Sequence, residues 1–316
     1  MRFLFFLLIS IPLFSQAQPL LDEYMVISSA LNLRENPDIK SKALTQVPNG
    51  TFVQTVDNQN ENHYDKIDKL NGQWIKVRYK QFTGYAFSAY LGAKYMLYFE
   101  NAHIHYMPKV KYWYGVYYDT QQKQEVIRKI KTRLSEVPYE ESGEKEQFLS
   151  TDQKNKSLFL IATNELISEK DMGVFKFRNK SEDSGVSLLP GKDLWLYFKV
   201  NGSNVDSETY HLFATGAYSM SEYGLRLDDF ELYVADNNPP DSRFTVIQNL
   251  NKHIGGNFFE GAYLFYCGDI DGDGKPDIIL NTCSNTHCTY ILLLSSSAKP
   301  GELLRAVSTY TFYDDC

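Results

Sequence analysis

Asp269, Asp271, Asp273 and Asp277 crowd four carboxylates into nine residues of the stretch "GDIDGDGKPDIIL". Like charges held this close repel, so a folded chain needs a reason to gather them. A hard dication is such a reason: it takes six to eight oxygen ligands and cancels the repulsion. Gly274 sits where the chain must turn back, and a residue without a Cβ turns there at low cost. Alternate side chains, and the carbonyl of Lys275, can then converge on one point. The chemistry implied is calcium binding through Asp269, Asp271, Asp273, Lys275 and Asp277. The alternative is an exposed acidic turn without an ion.

Counted from Asp269, the carboxylates fall at positions 1, 3 and 5, the glycine at 6 and a backbone carbonyl at 7, as in an EF-hand loop. Position 12 is Leu280, not a bidentate glutamate, and "DIIL" reads as a strand, not a helix. Asp277 at position 9 is therefore expected to close the site. The stretch resembles the calcium loop of FG-GAP and VCBS-type repeats. That resemblance implies side-chain ligation by Asp269, Asp271, Asp273 and Asp277 and carbonyl ligation by Lys275. The sequence holds one copy, so no propeller is expected. It also resembles the end of a group of exported bacterial proteins in which one such unit closes a β domain, implying a structural ion.

All four cysteines lie near the C-terminal end: Cys267, Cys283, Cys288 and Cys316. Four cysteines allow three pairings. "IILNTCSNTHCTYILLL" reads as a hairpin with Cys283 facing Cys288 across a short loop, which leaves Cys267 for Cys316. Disulfides fit an exported chain. Residues 1–17 have the three parts of a signal peptide: Arg2, the apolar run "FLFFLLISIPLF", and "SQA" as a small-x-small cleavage site. No cysteine follows the apolar run, which argues against a lipid anchor. The expected location is periplasmic or secreted, with no later span. Net charge is −7, against a nucleic-acid partner, because phosphate binding needs a basic face.

The segment that must carry any further site opens with short apolar runs between turn signals: "YMVIS", "TFVQTV", "QWIKVRY" and "TGYAFSAYLG". Alternation and aromatic content predict about five short strands in a small antiparallel barrel over 24–92. "LNLRENPDIKSKALTQVPNGTFVQTV" and "GQWIKVRYKQFTGYAFSAYL" resemble the bacterial SH3-type domain, matching at Leu31, Asn32, Leu33, Arg34, Pro37, Gly50, Trp74, Lys76, Val77, Gly84, Tyr85, Tyr90 and Leu91. The resemblance implies a peptidoglycan peptide or an envelope protein as partner. It implies an aromatic groove of Trp74, Tyr85 and Tyr90, unless those rings pack in the core. The polar insert "DNQNENHYDKIDKLNG" departs from the pattern and reads as an exposed loop.

No cysteine precedes a helix with a histidine partner, and the nucleophile-elbow, zinc-helix and phosphate-loop motifs are absent from the sequence. His103 and His105 share one strand face, but no third ligand lies nearby, so they read as solvent-facing. Residues 95–316 stay strand-like. "KYWYGVYYD" and "EVIRKIKTRL" suggest a hairpin, although the second segment also fits a helix face. "EVPYEESGEKEQFLSTDQKNK" reads as a surface connection, and "RFTVIQNLNKHI" opens a short helix. The expected fold is mainly β: an SH3-like barrel, then a sandwich-like domain over 95–316 that ends in a calcium-loop unit at about 257–316. The expected function is non-catalytic binding in the cell envelope. The alternative is a wall hydrolase, or an inhibitor of one, with a site in 95–260.

Overall fold

The computed structural model describes residues 23–313 apart from 57–62, 69, 103, 105–106, 122–123, 139–144, 172–175, 178–185, 192, 200–205, 222–223, 238–245, 255–261 and 285–286. Residues 1–17, read above as a signal peptide, and His103, His105 and Cys316 therefore lie outside the described residues. The chain is nearly all strand, as its aromatic and β-branched content requires.

The N-terminal sheet is antiparallel, in the order Ala43–Pro48, Ala30–Arg34, Phe82–Phe87, Leu70–Tyr79, Phe52–Thr55, Glu23–Val26 and Leu91–Gly92. Leu31 and Leu33 point inward and Asn32 outward, as period-two alternation dictates. Val47 from the first strand in that order and Leu91 from the last share one core with Val53, Ile75 and Val77. The sheet thus wraps around its own interior, as a small barrel must. Gly50 takes φ +74° in the turn after Asn49. The Asn49 side-chain amide donates to the Val26, Ser28 and Lys109 carbonyls, joining the barrel to the chain beyond it.

The insert corrects the sequence reading. Its second half is not an open loop: Tyr64–Ile67 pairs with Leu70–Tyr79 as a hairpin. Ile67 and Leu70 cover Trp74 and Phe87 and form a second small core. Two apolar residues in a polar segment suffice, because they cap aromatic surface that would otherwise meet water.

Beyond the barrel, three sheets of five strands stack. The proximal sheet runs Lys170–Asp171, Gln124–Ile130, Tyr112–Asp119, Phe159–Thr163, Tyr95–Tyr98. The central sheet runs Val186–Leu188, Ala262–Gly268, Asp277–Ser284, His287–Leu294, Arg305–Tyr313. The distal sheet runs Lys176–Phe177, Asp193–Lys199, Asp206–Ser221, Gly224–Asn237, Ile247–Asn249. Ile278, Leu280, Ile291 and Leu293 of the central sheet pack against Leu196, Leu212 and Leu232 of the distal one. Ile279, Leu292 and Leu294 pack against Tyr114, Phe159 and Ile161 of the proximal one. The central strands are buried on both faces, which is why they read as unbroken apolar runs.

The segment "EVIRKIKTRL" is strand on either side of Lys131, in Gln124–Ile130 and then Thr132–Pro138, and the first of these pairs with its aromatic neighbour as expected. The polar connection after it is corrected in part: Lys145–Thr151 pairs back on Thr132–Pro138, with Leu149 fully buried against Trp113 and Leu160. A single helical turn, Asn251–Ile254, follows Ile247–Asn249.

Candidate metal loop and barrel ligand face

The acidic loop joins Ala262–Gly268 to Asp277–Ser284, two neighbouring strands of the central sheet. Gly272 and Gly274 adopt φ +90° and +83°, the left-handed conformation that side chains disfavour. A Cβ at Gly274 would meet no atom, so backbone conformation, not crowding, selects glycine there. Each aspartate then folds one oxygen back on the chain. Asp269 Oδ1 accepts the Gly272 N–H at 2.7 Å, Asp271 Oδ1 the Asp273 N–H at 3.3 Å, and Asp273 Oδ1 the Lys275 N–H at 2.8 Å. These turns bring carboxylate oxygens of Asp269, Asp271 and Asp273 within 4.8 Å of one another. Asp269 is buried, Asp271 half-buried and Asp273 exposed.

Asp277, expected to close the site, lies outside that set of three. Its side chain is fully buried, and both oxygens hold donors. Oδ2 accepts the Ile270 N–H at 2.8 Å and the Asp271 N–H at 3.4 Å; Oδ1 accepts the Ser295 N–H at 2.9 Å and the Ser295 hydroxyl at 3.1 Å. Asp277 thus ties the acidic loop to the chain after His287–Leu294. Burial, and then the Asp271 charge, push its carboxyl well above the usual range. Burial also raises Asp271, with the Asp273 charge adding to it. Lys275 points into solvent and contributes its N–H to the turn.

Three site residues carried no sequence signal. The Ser295 hydroxyl donates to Asp273 Oδ2 at 3.0 Å as well as to Asp277, and the Ser296 hydroxyl donates to Asp271 Oδ2. Tyr95, at the start of the proximal sheet, packs in the same core as Ile270 of the loop. Its phenol is raised by burial and then by the Asp271 charge. The donor set is all oxygen, anionic and preshaped, which fits a hard cation.

The three barrel aromatics fall in one cluster: Tyr85 and Tyr90 pack, partly buried, against the small core of Trp74 and Phe87. Trp74 is 2% exposed, its ring 5.5 Å from Phe87 and its indole N–H directed at Asp65 Oδ2 at 3.4 Å. It lies under the insert hairpin and does not line an open groove, because covering an indole removes the largest apolar surface on that face. Tyr85 and Tyr90 remain half-buried at the rim. The Lys76 ammonium lies 5.8 Å from the Tyr85 ring centre, and the Tyr90 hydroxyl donates to Asp68 at 2.9 Å.

Cys283 and Cys288 face each other in register and are joined by a disulfide. The second expected pairing is not seen: Cys267 is a free thiol, 5% exposed, turned into the core between the central and distal sheets.

Residues 29–92 match the family model of the bacterial SH3 domain. This agrees with the wrapped antiparallel sheet. No curated protein and no solved structure matches the chain. Among the described residues no helix is long and apolar enough to cross a membrane.

Proposed function

We propose that this chain is an exported, non-catalytic binding protein of the bacterial cell envelope whose SH3 domain recognises peptidoglycan peptide. The observation that carries the reading is the bacterial SH3 domain at 29–92. Such domains commonly bind peptidoglycan. Tyr85 and Tyr90 at its rim offer ring faces, and Lys76 and Asp68 beside them offer charge to a zwitterionic peptide. With Trp74 covered, these two tyrosines carry the aromatic contact.

The acidic loop is a single calcium unit of the FG-GAP and VCBS type. Asp269, Asp271 and Asp273 hold the ion through carboxylates and Lys275 through its carbonyl, while Asp277 fixes the loop. Extracellular modules bind calcium with Kd of about 10⁻⁴–10⁻³ M. An ion bound only by the folded chain stabilises it by about 1.4 kcal/mol at ten times Kd. The ion therefore serves the fold, and the barrel serves the ligand.

Co-sedimentation of the mature protein with purified sacculi at fixed calcium tests the reading. The wild type pellets with the wall, and Tyr85→Ala together with Tyr90→Ala weakens this about tenfold, the order expected for losing two aromatic contacts. A protein that stays in the supernatant, or one that releases soluble fragments from the wall, overturns it.

A further inference from the structure

The two longest strands, Asp206–Ser221 and Gly224–Asn237, outrun the distal sheet that they belong to. On one side the neighbouring strand stops at the pair Asp193–Phe213, and a last bridge joins Pro190 to Ala214. On the other side the neighbour reaches only Tyr233. From Thr215 onward the two strands pair with each other alone among the described residues. The outer edge of this arm is open: residues 215–219 are all exposed, Tyr218 at 50%, while Leu227 on the other strand packs against the core between the central and distal sheets. An isolated two-stranded ribbon is marginal in water, so an arm built this way gains from a third strand.

The two edges of the arm differ in charge. Residues 224–231 include Arg226, Asp228, Asp229 and Glu231. Residues 215–221 read "TGAYSMS" and carry no charge and no proline. Charges and prolines are the usual guards against pairing of open edges, and this edge has neither. A bulge sits at Gly216, where φ is +109° and a Cβ would lie 2.6 Å from the Asp229 carbonyl oxygen. Beyond it the register with the other strand is regular from Ala217 to Ser221. The regular, neutral part of the edge is centred on Ser219.

We propose that the edge Ala217–Ser221 pairs antiparallel with the same edge of a second copy of this chain, giving a two-fold dimer with a four-stranded ribbon at its centre. A neutral edge suits a copy of itself: antiparallel pairing about Ser219 sets Ser219 against Ser219, Tyr218 against Met220 and Ala217 against Ser221, so no like charges meet. The acidic edge, carrying Asp228, Asp229 and Glu231, could not pair in this way without repulsion. A five-residue edge buries much less than the roughly 800 Å² per partner of a stable complex, so the dimer forms in the micromolar range or weaker.

Sedimentation velocity of the full mature chain, from micromolar to sub-millimolar concentration, reads the outcome. The wild type shifts from monomer to dimer. Ser219→Lys and Ser219→Glu each weaken dimerisation at least about tenfold, because like charges face across the two-fold. Mixing the two variants restores a dimer containing one of each, identified by native mass. The position is exposed, so both variants keep the wild-type melting temperature. A wild type that stays monomeric throughout, or a Ser219→Lys variant that dimerises as well as the wild type, overturns the proposal.

Discussion

Replacing Asp277 by alanine separates the fold of the acidic loop from any ion it holds. Asp277 accepts two buried backbone N–H groups, from Ile270 at 2.8 Å and Ser295 at 2.9 Å, and the Ser295 hydroxyl at 3.1 Å. Alanine leaves these donors without acceptors in a buried site. Each buried donor stranded in this way costs roughly 1–3 kcal/mol. Removing the carboxylate also removes the cost of burying it, and water entering the space left behind recovers part of the loss. The net expectation is about 2–4 kcal/mol, or a fall in melting temperature of roughly 3–6 °C for a chain of this size. The assay is calorimetric unfolding in excess chelator, so that no ion contributes. Asp277→Asn keeps one oxygen but sets an amide N–H₂ against the other donors, and should lose about half as much. Asp273→Ala is the control. Its carboxylate is exposed, and in chelator the change should cost less than about 1 kcal/mol. In calcium the order of effects should shift, because Asp271→Ala and Asp273→Ala should abolish the calcium-dependent rise expected of the wild type. An Asp277→Ala protein as stable in chelator as Asp273→Ala would refute the reasoning that places this carboxylate at the loop's foundation.

Two other groups give measurable outcomes. Burial acts to raise the Glu302 carboxyl, but hydrogen bonds from Lys252, the Lys299 N–H and Arg305 outweigh it and hold the carboxyl down at about 2. A carboxyl lowered on folding stabilises fully above its ordinary value of 4.5 and loses that contribution as pH falls toward 2. Glu302→Gln should melt roughly 2–4 °C below the wild type at neutral pH, with the gap closing in acid; a constant gap would count against this role. Reducing Cys283–Cys288, which closes a loop with a sequence separation of 5, should cost about 2 kcal/mol. Cys267 should resist maleimide until denaturant opens the core, and rapid labelling of the native protein would contradict its burial.

Strands declared themselves wherever one face is wet. "LNLR" and "WIKVRY" alternate, and the barrel follows from that alternation together with the turn at Asn49-Gly50. The three-layer stack was not legible. Ile278, Ile279 and Leu280 face alternate cores, yet all are apolar, so no periodicity marks which neighbour each one meets. The insert misled because its composition is polar, whereas its structure depends on Ile67 and Leu70 finding Trp74 and Phe87. In the acidic loop, spacing located the three convergent carboxylates and the left-handed glycine. It did not show that Asp277, buried at the first residue of a central strand, accepts hydrogen bonds from Ile270, Asp271 and Ser295. Ser295 and Ser296 were invisible for a related reason. They reach the loop only because His287–Leu294 runs beside Asp277–Ser284 and ends level with it.

The barrel and the loop belong to one continuous packing. Tyr95 and Leu97 face the core shared with Ile270 and Leu294 of the central sheet. Met96, between them, faces the core shared with Met25 and Ile27 at the barrel's first strand. The strand that leaves the barrel is therefore buried on both sides within a few residues, and the Leu97 N–H is held by the buried Ser308 hydroxyl at 3.1 Å. A bead on a flexible linker would swing freely of its neighbour. Here the chain passes from barrel to proximal sheet without such a linker, so the rim tyrosines are presented in a fixed direction relative to the stacked sheets. A cation at the acidic loop would neutralise the repulsion at the end of the central sheet, the layer against which the other two pack. Its effect on the barrel would be transmitted as rigidity of the support, through Ile270 and Tyr95, and not by contact with the wall ligand.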